Sequence, residues 1–450
     1  MATAFESLEH ERRKERVARR LRQTSGLLRS RKKTTSNLFR YQFRPARSES
    51  TIDLRRFNHV LDIDRAALII DVEGSTTYEQ VVSRTLEASL LPAVTPELKH
   101  ITIGGAIVGI GIESTCFRHG FVHDSLLEAD VLLPEGDIVR CSAGNAHGDL
   151  FRALPNSYGT LGYVLKARMR LIPAKPYVSL TNVVFTDISK YVLAMRAAAE
   201  SGDFDFVEGL IYSNQELHLT TGAFVENPDG PVFDIYGPRI YYSALRASER
   251  LCLTTENYIF RFDPDWFWNI PDSRLYHLFR RVAPRGLRSS KFYNRYVRWT
   301  DAARRAIGLP DSDREEQVIQ DWQLHWSQSE WFTRLVMNTL PLDGRPCVVV
   351  PIRPQSSPTL YPVNTQHWYY NLGCYCFVEK PKTQRKHEYT RILDRECFAS
   401  GGIKMLYSST FLDQEAFNRV YNGGAYQALK AKYDPNGRLP TLYAKAVLAQ

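Results

Sequence analysis

Residues 95–120 read TPELKHITIGGAIVGIGIESTCFRHG and contain the most informative pattern in the chain. Four glycines fall within eight residues: Gly104, Gly105, Gly109 and Gly111. The β-branched run 101–103 precedes the first glycine pair, so we expect a strand followed by a turn with positive φ. Successive N–H groups in such a turn form an anion-binding concavity, to which Ser114 and Thr115 would add hydroxyl donors. The pattern therefore favours a phosphate-bearing cofactor over a buried turn without a ligand.

This spacing differs from the G-x-G-x-x-G fingerprint of Rossmann dinucleotide-binding domains. Gly109 and Gly111 match its first two glycines, but Ser114 occupies the position of the third. That third glycine normally lets a helix pack closely against a strand. The stretch therefore fails as a Rossmann fingerprint.

A second glycine-containing turn follows further along the chain. Residues 159–162 read GTLG and precede an alternating segment, 165–171, that reads as a strand. Between the two glycine segments, residues 127–141 read as two strands joined by a Pro-Glu-Gly-Asp turn. The order is thus a Gly-Gly segment, a β-hairpin, a polar linker, G-T-L-G and a strand.

Short motifs around this order strengthen the pattern, and they lie at residues 32–37, 96–98, 102–105, 109–114, 159–162, 172–175, 406–407 and 439–445. Together they resemble the PCMH-type FAD-binding flavoproteins of the vanillyl-alcohol-oxidase superfamily. Within that superfamily the chain looks most like the Δ24-sterol reductase branch and its bacterial FAD-binding oxidoreductase relatives. The resemblance runs from about residue 30 to the C-terminus.

The resemblance implies an α+β fold in several parts. A basic N-terminal arm, residues 1–30, would precede a two-subdomain PCMH-type FAD-binding domain at 31–175. An α+β cap or substrate domain would follow at 176–400, since strands and helices alternate after a change of composition. The C-terminal segment, 401–450, would return to pack on the flavin domain.

The resemblance also implies which residues hold the flavin: Lys33, Thr34, Asn37, Thr102, Gly104, Gly105, Gly109, Gly111, Ile112, Glu113, Ser114, Thr115, Gly159, Thr160 and Gly162. In many members of the superfamily a histidine in the first loop bonds covalently to the flavin. No histidine occurs between Leu27 and Asn58 here, so we expect FAD to be held non-covalently. Lys32 would help to supply positive charge for the pyrophosphate.

The implied activity is reduction of an isolated C=C bond in a lipid. NADPH would reduce the FAD, and the alkene would then take a hydride and a proton. Candidate proton donors are Tyr407 and Lys404, from the resembled C-terminal segment, and His119, beside the glycine segment. Alternatives are an FAD-dependent oxidase or dehydrogenase of an alcohol or lipid-linked sugar, or a non-catalytic basic lipid-binding protein.

Composition limits the cellular context. No window approaches 18 uncharged apolar residues, and the first twenty residues lack the apolar core of a secretory signal. Seven cysteines are too few for a disulfide framework, and Cys374-x-Cys376 reads as core packing rather than a metal site. We expect a cytoplasmic protein, with peripheral contact to a membrane surface as the alternative. The resembled eukaryotic reductases carry a membrane anchor before the flavin domain, and we expect none here. An unsaturated or methylene fatty acyl chain is therefore favoured over a sterol.

The net charge of +9 suggests an anionic partner. Residues 11–33 hold eleven Lys or Arg against two Glu, which fits a solvated arm or contact with an anionic membrane surface. Aromatic and arginine residues alternate across 257–300, as in a lipid groove or a domain core. Nucleic acid is not expected, because the arm has no aromatic residues for base stacking. The oligomeric state is open.

Several local elements are predicted in the second half of the chain. Residues 317–324 read as the start of a helix, and 347–352 as a buried strand with 368–375 as its neighbour. Residues 388–400 read as a helix that ends at Gly401.

Overall fold

The computed structural model describes residues 4–34, 50–264, 274–306 and 315–448. The chain begins with helix α1 (Ala4–Arg22), followed by strands β1 (Leu28–Arg31) and β2 (Ser50–Asp53), which pair in parallel. The motif at residues 32–37 is thus described only as far as Thr34, and Asn37 lies outside the described residues.

A six-stranded sheet occupies residues 60–173. Its elements in chain order are β3 (Val60–Asp64), β4 (Ile69–Glu73), α2 (Tyr78–Leu86), β5 (Leu90–Pro92), α3 (Ile103–Gly109), α4 (Cys116–His119), β6 (Leu126–Leu132), β7 (Ile138–Ser142), α5 (Gly148–Ala153) and β8 (Tyr163–Pro173). The strand order is β3-β4-β8-β6-β7, with β5 added on β8, and each pair is antiparallel. The failed Rossmann match and the predicted hairpin at 127–141 are therefore confirmed.

An eight-stranded sheet lies within residues 177–404. Its elements begin with β9 (Tyr177–Phe185), α6 (Ile188–Ser201), β10 (Phe206–Ser213), β11 (Glu216–Val225), α7 (Tyr241–Arg246), β12 (Arg250–Thr254), α8 (Thr255–Ile259), α9 (Arg274–Val282) and α10 (Ser290–Ala306). They continue with β13 (Glu315–His325), α11 (Ser329–Thr339), β14 (Cys347–Ile352), β15 (Tyr369–Glu379), α12 (Glu388–Ala399) and β16 (Ile403–Lys404). The order is β12-β9-β11-β10-β14-β15-β13-β16. The α+β fold class is confirmed.

The helix predicted at residues 317–324 is wrong, because these residues form the centre of β13. The segment reads VIQDWQL, and its polar residues alternate less regularly than in a surface strand. β13 lies between β15 and β16 with almost every side chain buried, so the two-residue period is masked. The predicted strand pair β14–β15 and the predicted helix α12 are confirmed.

Three helices, α13 (Gln414–Val420), α14 (Gly423–Tyr433) and α15 (Leu442–Ala446), follow the second sheet. They contact the turn that precedes β8. Lys430 Nζ donates to the Thr160 carbonyl at 2.8 Å, and Lys445 Nζ donates to the Tyr158 carbonyl at 2.5 Å. The end of the chain therefore packs beside the G-T-L-G segment.

The two ends of the described chain also meet. The Leu28 N–H donates to the Arg438 carbonyl at 2.8 Å. The Arg438 guanidinium donates to the carbonyls of Pro134, at 2.6 Å, and of Thr24, at 2.8 Å. Strand β1 is thus held by a residue that lies just before α15.

Helix α1 is docked on the first sheet, which contradicts the expectation of a solvated basic arm for this part of the chain. Val17 and Leu21 are buried with apolar residues of β2 and β8. Lys14 Nζ pairs with Asp130 on β6 at 2.8 Å. Sequence reading missed this docking because the apolar stripe of α1 is thin and its charge pairs are with residues distant in sequence.

Glu73, which is fully buried on β4, lies at the centre of the contact between α1 and the first sheet. Its carboxylate contacts His10 Nδ1 at 2.7 Å, Arg13 Nη2 at 2.8 Å and His59 Nδ1 at 2.7 Å. Burial raises the pKa of Glu73, but the bonds from His10, His59 and Arg13 outweigh it and hold the pKa below its ordinary value. The stabilisation is therefore complete above the ordinary carboxyl pKa and is lost as pH falls through the lower folded value.

No helix in the described ranges is both long and apolar enough to cross a bilayer. The seven cysteines are all free and buried. Cys374 and Cys376 lie on β15 within the core, as expected for packing.

Glu73→Ala should detach α1, because His10 and Arg13 lose their shared acceptor. We expect the free energy of unfolding to fall by about 3–5 kcal/mol, as for other broken buried pairs. Denaturant unfolding measures the loss, and limited proteolysis should cut within α1. Glu9→Gln breaks only the exposed Arg12–Glu9 pair and should change stability by less than about 1 kcal/mol. Equal effects of the two variants would contradict a docked helix.

Candidate functional site

The glycine pair that was expected to form a turn lies instead in the first turn of α3. Thr102 caps this helix, and its Oγ1 accepts from the Gly105 N–H at 3.3 Å. The Gly104 N–H donates to the Gly74 carbonyl at 2.8 Å. Neither glycine has a positive φ. The predicted strand at 101–103 and the predicted concavity of bare N–H groups are therefore wrong, because Thr102 starts a helix whose first donors are already bonded.

The left-handed backbone expected at the glycine pair occurs at other residues. Ile110, which ends α3, has φ 57°, and Tyr158 has φ 49°. Gly159 follows with φ 74°. Tyr158 joins the two glycine segments, because its hydroxyl donates to the Gly109 carbonyl at 3.0 Å. The structure thus brings α3 and the G-T-L-G segment together, as the flavin prediction requires.

One face of α3 is nearly free of side chains. Gly105 and Gly109 lie four residues apart and are only half-buried. A Cβ on Gly105 would meet Thr102 Oγ1 at 2.9 Å and no other neighbour, while one on Gly109 would lie 3.6 Å from the Tyr158 ring. By contrast, a Cβ on Gly111 would come within 2.5 Å of Val122, so Gly111 is needed for packing. The α3 face therefore allows the close approach of a flat or phosphate-bearing group.

The loop after β1 supplies the positive charge. Lys33 is exposed and Thr34 half-buried, and burial lowers the pKa of the half-buried Lys32. In the part of the chain that the structure describes, no carboxylate pairs with Lys32. Tyr163, which adjoins the G-T-L-G segment, hydrogen-bonds Ser30 at the end of β1. A desolvated ammonium in this loop and the open glycine face of α3 both suit a phosphate-bearing group, so the residues present fit the FAD that is expected.

Other predicted contact residues have bonds within the protein. The Thr160 hydroxyl donates to the Ser157 carbonyl at 2.8 Å, and the Thr115 hydroxyl to the Ala93 carbonyl at 2.8 Å. Ser114 Oγ lies 2.9 Å from the Tyr258 hydroxyl. Gly162 is buried, and Ile112 is half-buried beside α3. The roles of these residues toward a flavin remain predictions.

Glu113 belongs to a buried ion cluster that sequence reading did not find. This Arg261 cluster consists of Arg261, Glu97, Glu113 and Glu208. Arg261 Nη2 lies 2.9 Å from Glu97 Oε1 and 2.8 Å from Glu113 Oε1, and it also pairs with Glu208 on β10. The cluster joins the segment around α3 to the second sheet. Only Glu97 retains exposure, at 15% of its side chain.

Three carboxylates share one guanidinium in this cluster. Burial, and then the Glu113 charge, raise the pKa of Glu97 well above its ordinary value. Burial also raises the pKa of Glu208. Closely spaced buried carboxylates around a single cation disfavour one another's ionised forms, which is the direction of both shifts. Glu113 Oε2 is buried and has no hydrogen-bond partner.

A second cluster of polar side chains joins β13 and β15 of the second sheet to the segment after β16. This Tyr407 network consists of Tyr407, Tyr375, Asp321 and Asn371. The Tyr375 hydroxyl donates to Asp321 Oδ2 at 2.5 Å and lies 3.3 Å from the Tyr407 hydroxyl, while Asn371 donates to Asp321 Oδ1 at 2.6 Å. Burial raises the pKa of Asp321 to about 6, although the bonds from Tyr375 and Asn371 oppose the shift.

Asp321 was missed because its segment was read as a helix. The available signal was a single carboxylate within the apolar run VIQDWQL. Asp321 lies opposite Gly373 in the pairing of β13 with β15. A Cβ on residue 373 would lie 2.5 Å from Asp321 Oδ1. Glycine at 373 therefore makes room for the carboxylate between the strands.

The Tyr407 network and the Arg261 cluster act on each other electrostatically. The Asp321 charge contributes to the raised pKa of Glu97. Burial and then the charge of Asp321 raise the pKa of Tyr375, and Glu97 adds to this shift. Acidic groups from the segments around α3 and from the second sheet therefore converge on one region.

The other two candidate proton donors have different surroundings. Lys404 is fully buried, and its Nζ donates to Asp394 at 2.8 Å, Gln320 at 2.6 Å and the Ser409 carbonyl at 2.8 Å. Burial and then the Arg118 charge lower the pKa of His119 to about 4. Lys404 has the contacts of a structural ion pair, and His119 is neutral at pH 7. Tyr407 is half-buried and is the candidate that joins a network of acidic groups.

Lys32→Met should weaken FAD binding by at least about tenfold, because a charge-assisted hydrogen bond contributes about 1.5–3 kcal/mol. The thermal midpoint of the apoprotein should not fall, since the change removes a desolvated charge. Titration of the apoprotein with FAD and a thermal melt without FAD measure the two effects. Lys190→Met, on the exposed side of α6, is the matched control. Unchanged FAD affinity in Lys32→Met would place the pyrophosphate elsewhere.

Comparison with known proteins agrees with this geometry. Residues 28–142 match the family model described as an FAD binding domain. The human Delta(24)-sterol reductase is 24% identical over 404 residues, which cover 86% of this chain and 75% of that protein. The Pisum sativum Delta(24)-sterol reductase is 33% identical over 188 residues, covering 40% of this chain and 33% of that protein.

A different group of flavoproteins matches a part of the chain. Cytokinin dehydrogenase 7 of Oryza sativa is 34% identical over 157 residues, covering 34% of this chain and 30% of that protein. Both groups are oxidoreductases of one superfamily, and the FAD-binding segment includes α3 and the basic loop. The half-buried glycine face of α3 and the desolvated Lys32 ammonium are consistent with that cofactor. The chain therefore contains a PCMH-type FAD-binding domain, is similar to flavoproteins of the vanillyl-alcohol-oxidase superfamily, and is an FAD-dependent oxidoreductase.

Proposed function

We propose that this oxidoreductase reduces an isolated C=C bond of a lipid, with NADPH as the reductant and FAD held non-covalently. The observation that carries the proposal is the Tyr407 network, which places a chain of hydroxyl and carboxyl groups beside the Arg261 cluster. Similarity to the human Delta(24)-sterol reductase over most of the chain supports the same direction of reaction.

The chemistry requires a hydride for one alkene carbon and a proton for the other. Bound FAD would supply the hydride. A phenol is protonated at neutral pH, so the Tyr407 hydroxyl can give its proton in an apolar site. The Tyr375 hydroxyl, 3.3 Å away, can then return a proton to Tyr407. Asp321, with a pKa of about 6, holds the proton that restores Tyr375.

The Arg261 cluster has a separate task in this scheme. It fixes the segment that leads into and out of α3, since Glu97 precedes the helix and Glu113 follows it. Its excess of carboxylates over cations also favours an uncharged alkene over an anionic substrate.

The names of the relatives support the first of two candidate classes of substrate. A sterol side chain is the first candidate, because relatives over most of the chain are named for that substrate. An unsaturated or methylene fatty acyl chain is the second. NADPH use and seven free cysteines fit a reducing compartment such as the cytoplasm.

The oxidative direction is the alternative function, and the similarity of a part of the chain to cytokinin dehydrogenases favours it. In that case the Tyr407 network would accept a proton from an alcohol or amine donor. Anaerobic addition of NADPH bleaches the flavin of a reductase, and an alkene restores its colour. Bleaching by an alcohol, without response to NADPH, would instead establish the oxidative function.

Tyr407→Phe should leave flavin content and bleaching by NADPH unchanged. Reoxidation by the alkene should slow by roughly 10² to 10⁴, because the general acid is lost. Stopped-flow absorbance separates the two half-reactions, and Tyr177→Phe, on β9, is the matched control. Normal reoxidation in Tyr407→Phe would exclude this hydroxyl as the donor.

The wild-type reoxidation rate should also fall as pH rises through about 6, since protonated Asp321 restores the network. Asp321→Asn should remove this pH step while leaving bleaching by NADPH intact. If the reoxidation rate of Asp321→Asn shows a pH step of the same size, a group other than Asp321 causes the step.

The flavin should be released when the holoenzyme is precipitated with acid, because no histidine lies in the first loop. Absorbance of the supernatant at the flavin band gives the released fraction. Flavin that stays in the washed pellet would show a covalent bond.

A further inference from the structure

Helix α9 carries its apolar stripe on the outside of the protein. Leu275, Leu278, Phe279 and Val282 follow the spacing i, i+3, i+4, i+7 and therefore share one face. Their side chains are 82%, 59%, 41% and 76% exposed, respectively. In a globular protein such a stripe normally packs on the core.

Helix α10 shows the same arrangement. Phe292, Tyr296 and Trp299 follow the spacing i, i+4, i+7 and are 41%, 54% and 68% exposed. Leu287, in the turn between the helices, is 40% exposed. Two successive helices thus present large apolar side chains to the surroundings, which exceeds the scattered exposure that is normal on a surface.

The side of the pair that faces the protein is held by polar contacts. Arg280 is buried, and its guanidinium donates to the carbonyls of Ile235, at 2.7 Å, and Gly237, at 2.9 Å. Arg288 donates to the Tyr236 carbonyl, and the Ser290 hydroxyl donates to Asp263 at 2.5 Å. The outward direction of the apolar stripes is therefore fixed by specific inward bonds.

The same segment is strongly basic. Residues 274–306 contain nine arginines and one lysine against one aspartate, a net charge of +9 that equals the net charge of the whole chain. Arg274, Arg281, Lys291 and Arg295 are exposed. Long cationic side chains can lie along an apolar surface while their charged ends reach anionic groups beyond it.

We infer that α9 and α10 dock on an anionic membrane surface. Their apolar stripes would enter the boundary between headgroups and acyl chains, and the surrounding arginines would contact anionic headgroups. A second copy of this chain is a poor occupant, because two surfaces of net charge +9 repel each other. The inference stands on exposure and charge, and it does not depend on the proposed reaction.

This assignment differs from the membrane contact that sequence reading placed on the N-terminal basic arm. In α1, Val17 and Leu21 pack on the first sheet, and Arg13 and Lys14 are paired with Glu73 and Asp130. The basic helix that is most evident in the sequence is therefore docked on the protein, whereas α9 and α10 expose their apolar stripes to the surroundings.

The test is co-flotation of the full-length holoenzyme with vesicles of phosphatidylcholine containing phosphatidylserine, and with vesicles of phosphatidylcholine alone. The apolar variant combines Leu275→Ser, Val282→Ser and Trp299→Ser, which are the most exposed positions of the two stripes. Leu193→Ser is its matched control, since Leu193 is 69% exposed on α6.

The charge variant combines Arg281→Glu and Arg295→Glu. Its control combines Arg16→Glu and Arg20→Glu on α1.

The wild type should bind the phosphatidylserine vesicles at least about tenfold more tightly than neutral ones. The apolar and charge variants should each lose at least about tenfold of that binding, and both controls should keep it. Flavin content, unchanged in every variant, confirms folding. Absence of wild-type binding, equal binding to neutral vesicles, or loss only in the α1 control would each overturn the assignment. A dimer that the apolar variant dissociates, without vesicle binding, would identify a second copy as the occupant.

Discussion

The buried Arg261 guanidinium joins two parts of the structure that have separate sheets. Its partners Glu97 and Glu113 lie on either side of α3, and Glu208 lies on β10. Removing Arg261 would leave its three buried carboxylates without their cation, which costs several kcal/mol. The position of the glycine face of α3 relative to the second sheet is therefore set by charge pairing as well as by apolar packing. Loss of this cluster would disturb the site before it disturbed either sheet.

The two acidic groups of the site have different environments and therefore different capacities. The Arg261 cluster is almost closed to solvent and contains an excess of carboxylates over cations. Asp321 has neutral hydrogen-bond donors, Tyr375 and Asn371, and its pKa rises only to about 6. Pairs of groups whose environments separate their pKa values are typical of sites that move protons. The fixed cluster sets position, and the network on β13 and β15 has the chemistry to exchange a proton.

Much of the fold followed from local pattern. The hairpin at β6–β7 and helix α12 were predicted from nearby residues, namely the turn between the two strands and the glycine that follows the helix. The failures arose where distant residues determine the outcome. Strand β13 is buried from both sides, so its period is hidden, and Gly104 in α3 is explained by the close approach of the Gly74 carbonyl. Tyr407 was found through family resemblance, but Asp321, Tyr375 and Arg261 meet only in three dimensions.

The contact between Arg438 and the start of the chain has a consequence for synthesis. Thr24 and Arg438 are 414 residues apart in sequence, yet they share a hydrogen bond. The hydrogen bonds that Arg438 makes with Thr24 and Leu28 can form only after residue 438 has left the ribosome. Closing so large a loop is entropically unfavourable and slows folding. The contacts that join the start of the chain to its last helices are therefore among the late steps of folding.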